Sequence, residues 1–511
     1  MKRFSKIVLV EPRAPGYHVY SRVALPRLGL PQLAAILRRA GYTDITIYCE
    51  DLAPVNVEDV CSADFVGIST TTSTAMAAYK LGALVKQRNP KAVVAIGGVH
   101  VTFMPEEPFD GEFCARWGIQ QPVCDHVIQG EAEHLIVPLL QAWEDGEPPE
   151  RVLGTTLRTS FSERIDASKS VQDIDSLPFP ELTSIVGRER MKVAPIVTSR
   201  GCPFDCTFCS VIEMFSQKMR YRSIDPADPQ SVISEMKQLH LNRISSVFFY
   251  DDNFNAYNKR TKQLLENMIR ADVVPRAWTA QVRATEIVRD RELLELMLRT
   301  NCHMLYLGLE SVNQATLDEY NKKQSVEQIV DAIRILKEYG IRAHGMFVFG
   351  ADGDTPDVLR HTADFAIRND ISTVQFMILT PLPGTRYFQQ LHDQGRIFDY
   401  DWNRYDAHHT VYWPKNMSPY ELQRETFDAM RRVYRMGRVV RPIFQGNVLS
   451  AFFRMYGHNL IRKHDMKTAD YLPTLPKTVM PEASWIEAEP VKPVAITVKA
   501  KAEGLREPVS T

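Results

Sequence analysis

No stretch of this 511-residue chain is apolar over the ~18–20 residues that a membrane-spanning helix needs, and neither sign of charge dominates. Its 61 basic and 62 acidic residues nearly cancel, which removes the electrostatic basis for gripping a phosphate backbone and leaves nucleic acid out of the expected partners. Cysteine is scarce. Eight thiols in a chain of this length are too few for a disulfide framework. The opening Met1-Lys2-Arg3-Phe4 is basic, but the apolar run Ile7–Val10 behind it is too short for a signal-peptide core. A cytoplasmic location with no transmembrane segment is therefore expected. What is present is ordinary for a globular chain, 44% hydrophobic and 24% charged, at a length that calls for two or three domains of ~100–200 residues each.

From residue 6 to about 145, short apolar strands alternate with helical stretches, as a parallel sheet with crossover helices requires. The strands fall at Ile7–Val10, Ile45–Tyr48, Asp64–Ser69, Ala92–Gly97 and His126–Gln129. Between the first two, Leu30, Leu33, Ala34 and Leu37 mark one helix face, and Gly41 stands where that helix stops. The expectation over 1–145 is an α/β, five-stranded, doubly wound Rossmann-like domain. Ligands of such sheets bind beyond the carboxyl ends of the strands, which here carry Ser69-Thr70-Thr71-Thr72, Gly97-Gly98-Val99-His100 and Gly130-Glu131.

Residues 146–190, rich in proline, read as a linker with room for a hairpin around Val152–Arg158. A second βα series fills 191–400, with strands at Ala194–Thr198, Ser246–Tyr250, Trp278–Val282, Met304–Leu309, Ala343–Phe349 and Val374–Leu379. Ser325 and Gln328 stand in capping-box spacing ahead of an apolar period of Val326, Ile329, Val330 and Ile333. Six such units predict a partial (β/α)6 TIM-type barrel with its functional residues at the carboxyl ends of the strands. Residues 401–470 read as helical. They open on the aromatic and titratable run Asp401–His409, which fits either a substrate-facing cover or a packed junction, and include a basic-aromatic stretch, Phe452–Lys463, suited to a membrane surface if the substrate is lipid-like. Residues 471–511 show no period and are expected to be disordered.

The sharpest signal is Ser199-Arg200-Gly201-Cys202-Pro203-Phe204-Asp205-Cys206-Thr207-Phe208-Cys209, directly after the first strand of the second series. Three thiolates on one tight loop can hold three corners of a cubane cluster and leave one iron open to a ligand. Zinc needs four protein ligands in a structural site, and no fourth Cys or His lies close by in sequence. The pattern C-x3-C-x-Φ-C, with Phe208 before the last cysteine, resembles the signature of the radical S-adenosylmethionine (SAM) superfamily. That resemblance implies a [4Fe-4S] cluster on Cys202, Cys206 and Cys209, SAM chelated on the open iron, and reductive cleavage to a 5′-deoxyadenosyl radical. It also implies an electron donor such as flavodoxin or ferredoxin. By the same resemblance the SAM contacts are Asp251 and Asp252 after the second strand, Arg283 after the third, Glu310 and Ser311 after the fourth, and the fifth-strand glycines Gly345 and Gly350.

A doubly wound domain ahead of such a barrel is similar to the cobalamin-binding domain of class B radical SAM methyltransferases and the anaerobic porphyrin ring cyclases. This resemblance implies cobalamin held by Ser69, Thr70, Thr71, Gly97, Gly98, His100, Gly130 and Glu131, and methylation of an unactivated carbon of a small-molecule or lipid-like substrate. A ring-forming or oxidative reaction, and a cobalamin- or redox-sensing role without catalysis, stay open. The Asp-x-His-x-x-Gly motif that supplies an axial histidine in other cobalamin proteins is absent. Asp125-His126-Val127-Ile128-Gln129-Gly130 has those residues at another spacing, so His126 is read as opening a buried strand, while His100 and His18 are placed on ligand-facing loops. Cys49, Cys61, Cys114 and Cys124 are scattered and read as small buried hydrophobes.

Overall fold

The computed structural model describes residues 4–14, 25–154, 171, 173–215, 219–241, 246–444 and 448–481. Fourteen strands, β1–β14, form two large parallel sheets and one small ladder among these residues.

The first sheet comprises β1 (Lys6–Glu11), β2 (Asp44–Cys49), β3 (Phe65–Thr70), β4 (Val93–Gly98), β5 (His126–Gln129) and β6 (Val152–Gly154), in the order β2-β1-β3-β4-β5-β6. Val8, Leu9, Val66 and Val94 are fully buried, because helices cover both faces of a doubly wound sheet. The helix Gly29–Arg39 buries Leu30, Ala34 and Leu37 and is followed by Gly41 at φ +89°, which only glycine adopts at little cost. Six strands replace the five expected. β6 pairs parallel with β5, so the sheet runs past residue 145 into the stretch read as linker, and Val152–Gly154 is an edge strand instead of half a hairpin. Residues 155–158 of that hairpin lie outside the described residues. Three residues with one apolar pair give too short a period to be told from a loop.

The second sheet comprises β7 (Ala194–Ile196), β10 (Ser246–Phe249), β11 (Ala277–Val282), β12 (Cys302–Glu310), β13 (Arg342–Phe349) and β14 (Thr373–Ile378), paired parallel in strictly sequential order. That is the wall of a six-stranded partial barrel. Val247, Phe249, Trp278, Leu305, Leu307, Phe347 and Phe376 point outward into one core with the helices. Helix Val326–Glu338 starts on the Ser325–Gln328 capping box. The ladder β8 (Ser199–Arg200) with β9 (Arg220–Tyr221) is antiparallel and closes the base of the loop that carries the cysteines.

Helix Pro419–Val433 covers the open edge of β14, where the Tyr434 hydroxyl accepts from the Val374 N–H at 2.8 Å and donates to its carbonyl at 2.7 Å. Helices Met436–Phe444 and Val448–Thr468 follow, leaving Phe444 and Phe452 exposed. Residues 471–481, expected to be disordered, are ordered against this region. The Tyr471 hydroxyl donates to the Thr410 carbonyl at 2.7 Å, its ring meets His409 at 4.8 Å, and Leu475 is buried. One aromatic anchor, not a period, orders this piece. Among the described residues no helix is long and apolar enough to cross a membrane.

Candidate functional site

Cys202, Cys206 and Cys209 lie on the loop between β8 and the helix Ser210–Phe215, Cys206 buried and the other two partly exposed. The loop is held from three sides. Asp251, just past β10, accepts from the Thr198 N–H and hydroxyl, both at 2.6 Å, and from the Ser199 hydroxyl at 2.7 Å. Asp252 accepts from the Gly201 N–H at 3.0 Å. From the far side, Asn321 and Arg386 donate to the Asp205 carbonyl at 2.7 and 2.9 Å, while the Arg283 guanidinium lies 3.7 Å over the Phe204 ring. Burial pushes the Cys209 thiol up to about 12, so its thiolate becomes the stable form only when a metal shares the charge. Among the described residues no three His, Cys, Asp or Glu groups converge as they would on a single ion. A four-iron cluster asks for no such point, since each thiolate binds its own iron. The donor set therefore fits a cluster and leaves one iron without a protein ligand.

The residues expected around SAM divide by what they touch. Asp251 is fully committed to the strand ahead of the cysteines and acts as a holder of that loop. Asp252 reaches the cavity described below, and burial raises its carboxyl to about 6. Arg283 is buried: it donates to the Lys322 carbonyl, and its Nε has no hydrogen-bond partner among the described residues. Glu310 sits in the left-handed region at φ +60° and pairs with the buried Lys322 ammonium at 2.5 Å. A non-glycine residue held there stores strain of the kind found at binding sites. The Ser311 hydroxyl accepts from the Asn313 N–H at 3.1 Å. Asn253 Oδ1, buried beside Cys202, has no partner in the protein. The two glycines are explained from within the chain. A Cβ on Gly345 would meet Leu309 at 3.2 Å on the outer face of the barrel, and one on Gly350, at φ +107°, would strike the Tyr412 hydroxyl. Neither needs an adenine to account for it.

Between the two sheets lies a cavity of about 350 Å³ lined from both sides: Leu9, Ser69, Gly97, Gly98 and Gly130 from the first, and Ser199, Arg200, Tyr250 and Asp252 from the second. A flat macrocycle with apolar faces suits the small and aliphatic residues at these strand ends. Of the residues expected to touch cobalamin, Ser69, Gly97, Gly98, Gly130 and Glu131 line the cavity. Thr70 and Thr71 do not. The Thr70 hydroxyl donates to the Gly97 carbonyl at 2.8 Å, and Thr71 closes a capping box with Thr74. His100 does not either, because the short helix Val99–Phe103 turns it away from the cavity to pair with Glu107 at 3.0 Å and meet the Trp402 ring at 5.2 Å. His18 lies outside the described residues. His126 faces Glu150 and Trp143, with both ring nitrogens engaged at 2.8 Å, as its place in a buried strand implied. No histidine is among the described residues that line the cavity.

Glu131 does more than line the wall. Its carboxylate binds Arg200, two residues before the first cysteine, and Arg220 of β9, each at 2.6 Å, while Glu133 takes Arg200 at 2.7 Å. This cluster fastens the cysteine loop to the first sheet. Arg200 stood in the quoted motif, but nothing in the sequence announced Glu133, Arg220 or Lys322 as partners across the fold. The run Asp401–His409 resolves as a junction: the Trp402 indole N–H donates to both Glu107 oxygens at 3.1 Å.

Residues 196–366 match the family described as the radical SAM superfamily, and residues 20–140 match the B12 binding domain. Over 457 residues the chain is 28% identical to an uncharacterized methyltransferase of Pyrococcus horikoshii, an alignment covering 86% of this chain and 95% of that one. It is 28% identical over 460 residues to the bacteriochlorophyllide d C-12(1)-methyltransferase of Chlorobaculum tepidum, covering 88% and 91%. It is 27% identical over 448 residues to the anaerobic magnesium-protoporphyrin IX monomethyl ester cyclase of Cereibacter sphaeroides, covering 84% and 70%. Among solved structures, the cobalamin-dependent SAM radical enzyme OxsB with aqua-cobalamin bound shares the fold at a TM-score of 0.64 and 15% identity, over 92% of this chain and 75% of that one. The radical SAM methyltransferase TsrM of Kitasatospora setae shares it at 0.59 and 18% identity, over 76% and 78%.

Proposed function

Taking as premise that this chain belongs to the radical SAM superfamily and carries a B12 binding domain ahead of its radical SAM domain, we propose that it methylates an unactivated carbon of a small-molecule or lipid-like substrate. Bound together, a [4Fe-4S] cluster and SAM supply a hydrogen-abstracting radical, and cobalamin supplies the methyl group. One observation carries this reading: Ser199 and Arg200 just before the cysteine loop, Phe215 in the helix just after it, and the glycine-bearing ends of the first sheet border a single cavity. Cys202, Cys206 and Cys209 hold the cluster. Asp252, Asn253 and Arg283 lie around the loop on the SAM side, and Ser69, Gly97, Gly98 and Gly130 leave space for the corrin. Glu131, Arg200 and Arg220 keep the two cofactor faces in register, which methyl transfer to a short-lived substrate radical demands.

The methyltransferase relatives favour methyl transfer, while the cyclase relatives keep ring formation as the second reading. A reductant protein of the flavodoxin or ferredoxin class feeds the cluster. The cytoplasm, which keeps thiols reduced, is the compartment suited to a chain none of whose eight cysteines is in a disulfide. We divide the chain into a corrin domain that runs through β6 to 154, a connection to 190, the radical barrel over 191–400, a helical cover over 401–481 and a tail beyond it.

Anaerobic reconstitution tests the proposal. The expected result is a spectrum with both corrin and iron–sulfur bands and SAM-derived 5′-deoxyadenosine among the products, with Cys206→Ala losing both the iron–sulfur bands and the nucleoside. Release of 5′-deoxyadenosine by Cys206→Ala would overturn the radical assignment. A cluster without corrin would overturn the methyl-carrier assignment.

A further inference from the structure

The last two long helices leave one face of the molecule apolar. Six of the fourteen large hydrophobic side chains exposed among the described residues fall between 436 and 456: Met436, Ile443, Phe444, Val448, Phe452 and Tyr456. Phe444, Val448 and Phe452, at 86%, 66% and 64%, are the most exposed of all fourteen. Single exposed apolar residues are ordinary, but a group of them on adjoining elements marks an interaction site.

Helices Met436–Phe444 and Val448–Thr468 form an antiparallel hairpin. Arg454 donates to the Arg438 carbonyl at 3.4 Å, and His458 Nδ1 meets the Tyr434 carbonyl at 3.0 Å, so the second helix runs back along the first. One side of the second helix is committed to the fold. Ala451, Arg454 and Ile461 are buried on it, Arg454 pairs with Asp370 at 2.6 Å just ahead of β14, and Gly457 admits the Tyr434 ring. Val448, Phe452 and Tyr456, spaced by four, line the outer side. Those outer residues are graded along the hairpin. Ile443, Phe444, Val448 and Phe452 gather towards its tip, and Tyr456 follows about 6 Å further at ~1.5 Å per residue. Exposed Arg462 and Lys463 on the second helix, and exposed Arg435 ahead of the first, stand about 15 Å back from the tip. Charge follows the same gradient. The chain as a whole balances 61 basic against 62 acidic residues, yet residues 431–468 hold nine Lys and Arg and a single acidic residue, Asp465.

We propose that this hairpin docks the protein on an anionic membrane surface, its apolar tip entering the headgroup region and its basic shoulders resting on lipid phosphates. Interfacial helices bury their apolar residues by only about 5–10 Å, with Lys and Arg left at the headgroups, and Tyr favours the level between. The order tip, Tyr456, Arg462 and Lys463 matches that profile. A second copy of the chain is the poorer occupant, because a two-fold pair sets the patch against itself and brings like-charged shoulders together. Docking here leaves the cofactor cavity uncovered. The Phe453 ring meets His303 at 6.2 Å and Arg454 reaches Asp370, both at the amino ends of barrel strands, whereas the cysteine loop follows the carboxyl end of β7. The proposal does not depend on the chemistry at that loop.

Sedimentation of the full chain with lipid vesicles tests this. Binding to phosphatidylcholine vesicles carrying about one-third phosphatidylglycerol should exceed binding to pure phosphatidylcholine at least about tenfold, as several Lys and Arg near a charged surface require. Phe444→Ser/Phe452→Ser should lower partition to the anionic vesicles about tenfold or more. Arg462→Glu/Lys463→Glu should bring it down to the level of neutral vesicles. All four side chains are exposed, so both variants should keep the wild-type Tm without vesicles, which separates lost docking from lost folding. Wild-type protein that stays in the supernatant with anionic vesicles, or a Phe444→Ser/Phe452→Ser chain that sediments as well as wild type, would overturn the proposal. So would light scattering of the vesicle-free protein showing a dimer that the same variant splits into monomers, since the face would then belong to a second copy.

Discussion

Replacing Glu131 with glutamine isolates the fastening between the cysteine loop and the first sheet. In the native chain Glu131 neutralises Arg220, whose side chain is 4% exposed, and shares Arg200 with Glu133. The substitution would leave Arg200 its second carboxylate but strip Arg220 of its counter-charge, and the new amide would direct a donor at one guanidinium. An unpaired buried charge costs roughly 3–5 kcal/mol, far above the ≤1 kcal/mol of an exposed pair. Urea unfolding followed by tryptophan fluorescence at pH 7.5 should show the midpoint of Glu131→Gln falling. Removing both charges in Glu131→Gln/Arg220→Met should recover much of the loss. The pH dependence has a fixed sign. Burial alone would raise the Glu131 pKa, but Arg220 and Arg200 outweigh it and hold it below the ordinary 4.5. Its stabilisation is therefore complete above that value and disappears as pH falls through the lowered one, so wild type and Glu131→Gln should converge in acid. Equal midpoints at pH 7.5, or a double variant no better than the single one, would refute the clamp.

Asp354, which accepts from the Gly350 and Ala351 N–H groups and the Thr316 hydroxyl, has its pKa raised by burial to about 6. The fold thus favours its acid form, a contribution present below pH 3.8 and lost as pH rises through about 6, worth about 2–3 kcal/mol at ~1.36 kcal/mol per unit. Asp354→Asn should gain Tm relative to wild type between pH 4 and 7, and a pH-independent difference would count against this. Gly98→Ala drives a Cβ into the Thr70 backbone at φ +103°, whereas Gly97→Ala meets nothing closer than 3.7 Å. The first should lower Tm by several degrees and the second should keep Tm while losing corrin absorbance on reconstitution; equal Tm values would contradict the geometry.

Much of the fold was legible because buried parallel strands write themselves as apolar runs. β5 falls at His126–Gln129 as read, and the other predicted strands agree within two residues at each end. The cysteine motif was legible for the same reason that it functions: three ligands must sit on one short loop. What escaped were interactions between distant residues. Thr70, Thr71 and His100 follow strands whose ends do meet a cavity, yet the helix and turn that start there rotate these side chains away. Gly345 and Gly350 looked like room for a ligand and are room for Leu309 and Tyr412. Arg220 is 89 residues from Glu131, and no local pattern encodes a pair at that distance.

The seat of Trp402 in the first domain bears on how the chain is made. Its indole N–H reaches Glu107 across 295 residues of sequence, and translation proceeds at about 5–20 residues per second. For roughly 15–60 s after Glu107 emerges, the first domain waits with this carboxylate held, among the described residues, by Tyr79 and His100. The corrin domain thus reaches its final form only after the whole barrel has left the ribosome, which makes Trp402 a late latch on the order of assembly.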